Sequence, residues 1–204
     1  METAHVLNIL EQIRTMLIKK NISFASRIKN CNLTLDPTVK IVEICDALAK
    51  NTADYHGYSK VFASNFILLQ PGIKVADYKT VRVTEIGVKI KGLALPALIH
   101  TFIHELAHSV TVPEQVKEHC LTRLDKKLQP SVAKATKAKK YIANHHPETF
   151  YKNLAKMLRT ADELGIYILP KNFRDFTSAG IKRYDTYVNP NDKMSLGTTN
   201  FAFE

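Results

Sequence analysis

The sequence predicts an α+β fold, helix-rich, with a short antiparallel or mixed sheet ahead of a strongly apolar central helix. Three observations carry this expectation. Apolar residues recur at helical spacing near the start of the chain and again after residue 146. Residues 54–92 hold runs rich in Val, Ile, Phe and Tyr, broken by glycine and proline. Pro96 opens the segment PALIHTFIHELAHSV, apolar on most of its surface and therefore expected at the centre of the core. A chain of 204 residues can bury such a core without staples, and residues 1–204 read as one domain.

Within 1–52, Val6, Leu10, Ile13 and Leu17 place an amphipathic helix over residues 3–20. A second helix is expected from Asp36–Pro37 to about Lys50. Asp36 would cap it, Pro37 suits its first turn, and Val42, Ile44, Cys45 and Leu48 supply apolar positions. Within 54–112, VFASNFILL and VRVTEIGVKI read as two to four short strands, with turns at Gly57, Pro71–Gly72 and Gly87. The Pro96 helix follows and ends near Val112–Pro113. Residues 114–140 form a basic block that Pro130 divides into two short helices. Within 146–204 a helix starts near His146–Pro147, with Phe150, Leu154, Met157, Leu158, Ala161 and Leu164 at helical spacing, and Gly165 stops it. Beyond Tyr167 the periodicity fades, and an extended segment wrapping the core is expected, frayed after Asn191.

Hydrophobic content of 45% and charged content of 24% exclude collagen, mucin-like stalks and wholesale disorder. Lys and Arg number 29 against 19 Asp and Glu, a net charge of +10, which favours a polyanionic partner, most simply nucleic acid. Cys31, Cys45 and Cys120 are odd in number and form no CxxC pair, so a reduced compartment is the simpler reading. Glu2, Glu11 and Arg14 interrupt the first apolar segment, which excludes a secretory h-region, and no run reaches about 18 apolar residues. A soluble intracellular protein, cytoplasmic or nuclear, is expected.

The residues that carry chemistry are His104-Glu105-Leu106-Ala107-His108. On a helix, positions i and i+4 share one face, so both imidazoles can meet one metal ion. Glu105 can then reach a water on that ion without ligating it, and a zinc ion with three protein ligands lowers the pKa of that water towards about 7. This is the HExxH pattern of zinc metalloproteases. A chance match on a core helix is the competing reading; the helical context and the apolar spacers weigh against it. For the third ligand, the metzincin pattern needs Gly at 111 and His at 114. The chain has Thr111 and Glu114, so that class is excluded. Glu118 and His119 fall inside the basic block. His146, at the start of an amphipathic helix, is better placed, and the adjacent His145 could substitute. His100, one turn before His104, reads as a packed or supporting histidine, because a fourth ligand would close the site.

HELAH at His104–His108, His146-x-x-x-Phe150, LGIY at Leu164–Tyr167 and Asn189–Pro190 together resemble the WLM/SprT-like zincins. The likeness is greatest to the WLM-like proteins of large nucleocytoplasmic DNA viruses, and it spans about residues 80–190. It implies a small zincin (minigluzincin-like) domain, a Zn2+ cofactor, peptide-bond hydrolysis and, for a viral chain, a place in the virion. Cellular relatives include Spartan-type proteases that act on proteins crosslinked to DNA. The chain departs from the family in two ways: residues 109–145 separate HELAH from the third histidine, and the zinc ribbon and short partner motifs of cellular members are lacking.

In the basic block, Lys126, Lys127, Lys134, Lys137, Lys139 and Lys140 can neutralise phosphates without reading sequence. No aromatic residue is interleaved before Tyr141, so base stacking is not indicated. Charge pattern alone does not separate DNA binding from a solvated lysine face; the resemblance favours DNA. The leading expectation is a zinc-dependent protease with Glu105 as general base, His104, His108 and His146 as ligands, and DNA-associated proteins as substrates. The alternatives are a non-catalytic zinc-binding virion or DNA-packaging protein on a zincin scaffold, and a metal-free basic protein with a chance motif. Tyr184 and Tyr187 are left open as oxyanion stabilisers.

Overall fold

The sheet forms where β-branched residues alternate with polar ones. The structure, a computed structural model, describes residues 2–26, 33–44, 56–63, 81–111 and 146–201. Strands β1 (Lys40–Glu43), β2 (Gly57–Ala63) and β3 (Val81–Val88) lie in the order β1-β3-β2, with β1 parallel and β2 antiparallel to β3. The sheet ahead of the central helix is therefore mixed. Lys60 pairs with Glu85 but Val61 pairs with Val83, so Thr84 is an extra residue in β3. Such a bulge resets the two-residue alternation. It lets Val83, Ile86 and Val88 all be buried.

Strand β1 replaces the helix expected from Asp36 to Lys50. Asp36 accepts hydrogen bonds from the backbone and hydroxyl of its near neighbour Thr38 (2.7 and 2.6 Å), which closes a turn instead of capping a helix. Val39, Ile41 and Ile44 are buried, and the β-branched run pairs with β3 from Lys40 onward. Tertiary pairing outweighed the cap and proline signals. Residues 45–50 of that expected helix lie outside the described residues. So do the basic block at 114–140 with its six candidate lysines, as well as Glu118, His119, His145 and the three cysteines.

Four α-helices are found among the described residues. Helix α1 (Thr3–Lys19) buries Val6, Ile9, Leu10, Ile13 and Leu17. Its buried Arg14 donates to the Val39 carbonyl and pairs with Glu11, tying the helix to the approach to β1. Helix α2 (Leu95–Ser109) has Pro96 in its first turn, where a missing N–H leaves no bond unmade. It packs against β2, β3 and the next helix, and no residue of α2 is fully exposed. Helix α3 (Glu148–Glu163) buries Phe150, Leu154, Met157, Leu158 and Ala161. Its buried Asn153 accepts from the Ala25 N–H (2.6 Å) and donates to the Ala25 carbonyl and to Thr111 Oγ1 (3.1 and 3.2 Å). One amide thus fastens the chain after α1 and the end of α2 to α3.

Helix α4 (Ser178–Tyr187) stands where an extended tail was expected. Thr177 Oγ1 accepts from the Gly180 N–H (3.1 Å) as its cap, and Ile181 and Tyr184 are buried against α3 and the short 3-10 turn Lys171–Phe173. Residues 192–201 are pinned, not frayed. Ile168 and Thr198 exchange backbone hydrogen bonds (2.7 and 2.9 Å), and the Asn200 N–H donates to the Gly165 carbonyl (2.9 Å). Among the described residues, no helix is long and apolar enough to cross a membrane.

Gly165 ends α3 as the sequence predicts. Its φ is 69°, and the N–H groups of Gly165 and Ile166 donate to the carbonyls of Asp162 (3.1 Å) and Ala161 (2.8 Å), closing the last turn. A Cβ there meets Asn200 only at ordinary contact distance, 3.5 Å, so the cost of a side chain is conformational. Gly165→Ala should therefore lower unfolding stability by about 1–2 kcal/mol, read as a reduced midpoint at constant slope in urea titration.

Candidate metal centre

Helix α2 presents His104 and His108 one turn apart, and the chain enters α3 with His146 facing them. The three ring centroids stand 4.9–5.1 Å from one another. Phe150, in the first turn of α3 and fully buried, packs its ring 4.5–4.9 Å from all three imidazoles and forms their floor. His146 lies just ahead of Pro147, the extended residue that precedes α3, and the chain there turns its ring onto Phe150 of the first helical turn.

The donor set fits a metal ion. One ligand atom from each of His104, His108 and His146 can be chosen so that all lie within 4.8 Å of one another. Nε2 of His108 and Nε2 of His146 are 3.1 Å apart. Two nitrogens bound at about 2.0–2.1 Å to one tetrahedral ion would stand about 3.4 Å apart. Two imidazole nitrogens this close need a proton or a cation between them. Three histidines leave a fourth position open for water or substrate.

Glu105 lies beside the triad and is buried. Ser59 of β2 donates its hydroxyl to Glu105 Oε2 (2.6 Å). Burial raises the Glu105 pKa, and Asp185 adds to the effect, against the lowering influence of His104 and the Ser59 hydrogen bond. The neighbouring core-facing position in β2 is Gly57, where a Cβ would come within 2.7 Å of Thr101 Cγ2 and 2.9 Å of Glu105 Oε1. Small residues at 57 and 59 are what let the strand approach the helix at Glu105.

Asp185 is a site residue that sequence reasoning missed. It comes from α4, and its Oδ1 lies 3.0 Å from His104 Nδ1 and 3.6 Å from His100 Nε2. Burial works to raise its pKa, but the charge and hydrogen bond of His104, with His100 and His146 beyond, prevail and hold it at about 2. Burial also opposes protonation of His104, yet Asp185, helped by Glu105, raises its pKa. His100 lacks so close a partner; burial takes its pKa down to about 4, against the pull of Asp185. The signal that could have found Asp185 was the spacing of Ile181, Tyr184 and Val188 after a Thr177 cap, which is helical.

These groups line a cleft of about 450 Å³ with His56, Gly57, Tyr58, Val188 and Pro190 on its walls. Neither Tyr184 nor Tyr187 lines it. The Tyr184 hydroxyl is paired with that of Tyr167 (2.6 Å), and Tyr187 stacks on Phe173. No protein-family model, curated protein or solved structure matches this chain.

If the triad is the ligand set, the purified chain should hold one equivalent of a divalent transition metal after dialysis. His104→Ala, His108→Ala and His146→Ala should each abolish uptake measured by elemental analysis, and His145→Ala should retain it. Uptake lost in His145→Ala and kept in His146→Ala would reverse the assignment.

Proposed function

We propose that the chain is a zinc-dependent metallopeptidase of the HExxH type that hydrolyses peptide bonds, with proteins associated with DNA as its substrates. The observation that carries this reading is the convergence of His104, His108 and His146 beside a buried carboxylate that is not one of the three. A bound zinc ion would supply a Lewis acid and lower the pKa of water at the open position. His104, His108 and His146 would hold it. Ser59 fixes one oxygen of Glu105, and the carboxylate keeps capacity to accept a proton from an attacking water as general base. Burial raises its pKa, which makes the carboxylate a stronger proton acceptor. Strand β2 lies at one edge of the sheet among the described residues and supplies Gly57, Tyr58 and Ser59 to the cleft wall. An extended peptide could lie along such an edge.

The non-catalytic alternative, a zinc-binding virion or DNA-packaging protein, has no use for a carboxylate held by a dedicated serine beside the triad. The net charge of +10 and the six clustered lysines support an anionic partner, and we take that partner to be DNA. The resemblance to WLM/SprT-like zincins adds the substrate class.

Glu105→Gln should keep fold and metal yet lose about 10²–10⁴-fold in cleavage of casein or a histone, since only the proton acceptor is removed. Equal loss of metal would show that Glu105 has a structural role instead. Changing Lys126, Lys127, Lys134, Lys137, Lys139 and Lys140 to Gln should weaken DNA binding and flatten its salt dependence alike for unrelated sequences, with metal content unchanged. Filter binding at two salt concentrations reads this. An unaltered slope would remove DNA recruitment from the basic block.

A further inference from the structure

We infer that Asp185 is a positioning residue for the metal centre: by accepting a hydrogen bond from His104 Nδ1, it fixes that imidazole with Nε2 presented to the ion. The inference rests on the reading of the triad as a metal site and goes beyond it, to a residue remote in sequence that no motif marks. The geometry is specific to one histidine. Asp185 Oδ1 is at hydrogen-bond distance from His104 Nδ1, 3.0 Å, whereas His100 Nε2 at 3.6 Å is beyond it. The carboxylate is 9% exposed, so water does little to screen or replace it. A carboxylate on the far nitrogen of a ligating imidazole selects the tautomer, fixes the ring plane and makes the ligating nitrogen a better donor.

The rest of α4 is built to hold that carboxylate still. Tyr184, the preceding residue, is fully buried; its hydroxyl meets that of Tyr167, which in turn accepts from the Gly197 N–H (2.9 Å). The rings of Tyr167 and Tyr184 lie 5.7 and 5.5 Å from His100, the residue one turn before His104 on α2. The helix bearing Asp185 is thus locked to the helix bearing the ligand, and the carboxylate spans the joint.

The test compares wild type, Asp185→Asn and Asp185→Ala for Zn2+ affinity by chelator competition and for the visible absorption of the Co2+-loaded chain. Circular dichroism and thermal melting of the metal-free proteins accompany both. Asp185→Ala should bind Zn2+ about tenfold to a hundredfold more weakly and alter the Co2+ band. Asp185→Asn keeps an acceptor oxygen without the charge, so its affinity should fall between the two. A residue with a merely structural role would lower the melting temperature of the metal-free chain while leaving affinity and the Co2+ band of the folded protein unchanged, and that result overturns the inference alone. A wild-type chain that takes up no metal overturns the reading of the triad and this inference with it. A chain that binds metal but cleaves nothing contradicts the proposed activity and leaves the role of Asp185 standing on its affinity data.

Discussion

Helix α2 has no fully exposed residue, yet it carries His100, Thr101, His104, Glu105 and His108. A buried polar group left without a partner costs about 1–3 kcal/mol, so the elements around the helix are constrained to supply partners. They do so for Glu105, His104 and His108, while His100 Nε2 is left without a hydrogen bond among the described residues. Strand β2 brings the Ser59 hydroxyl to Glu105, α4 brings Asp185 to His104, and the residue ahead of α3 brings His146 to His108. Each partner lies far from α2 in sequence. The polar face of one buried helix therefore dictates where three other elements end, and the fold and the site are set by the same contacts.

Phe150 shows how closely the two are joined. Burying an aromatic side chain of this size contributes about 1.5–3 kcal/mol, so the phenylalanine helps to dock α3 onto α2 through apolar packing alone. Because its ring also lies beneath all three imidazoles, that docking sets the height and tilt of the histidines. His146 stands two residues ahead of α3, so where the helix starts also fixes where that histidine stands. The Asn153 amide, further along the helix, joins Ala25 and Thr111 and holds α3 in register with the end of α2.

What could be read locally was read well. The apolar spacing of α1, α2 and α3, the proline in the first turn of α2 and the glycine after α3 all act through neighbours a few residues away. The HExxH spacing is likewise a property of one helix, and His146 could be favoured because it opens a periodic segment. The misreadings share one cause. Lys40–Glu43 became a strand because β3 was available to pair with it, a fact held some forty residues away. Helix α4 has Gly180 inside it and a mostly polar surface, and its burial depends on Tyr167, Phe173 and the returning tail. Ser59, Gly57 and Asp185 gain their roles from elements that meet only in three dimensions. Spacing could place Asp185 on a helix, but nothing along the chain says what it, Ser59 or Gly57 would meet.

The two carboxylates beside the triad are driven apart by their partners, not by their depth. Both are buried, and burial pushes both pKa values up. Asp185 meets an imidazole that can carry a proton, and the attraction holds it at about 2, charged across the physiological range. Glu105 is stabilised by the charge of His104 and by the Ser59 hydroxyl, but these do not overcome burial and the nearby Asp185, and its pKa stays raised. In the metal-free protein the two are thus split, with Asp185 held as a negative charge and Glu105 the stronger proton acceptor. The same pair also answers a charge problem. A dication held by three neutral imidazoles brings two positive charges into a pocket of low polarity, where unbalanced charge is costly. Among the described residues, Glu105 and Asp185 are the two carboxylates that line the cleft. With both ionised, the pocket is neutral; with Glu105 protonated, it carries a single positive charge. With a dication bound, transfer of one proton to Glu105 would shift the cleft between these two states, while Asp185 would go on accepting from His104.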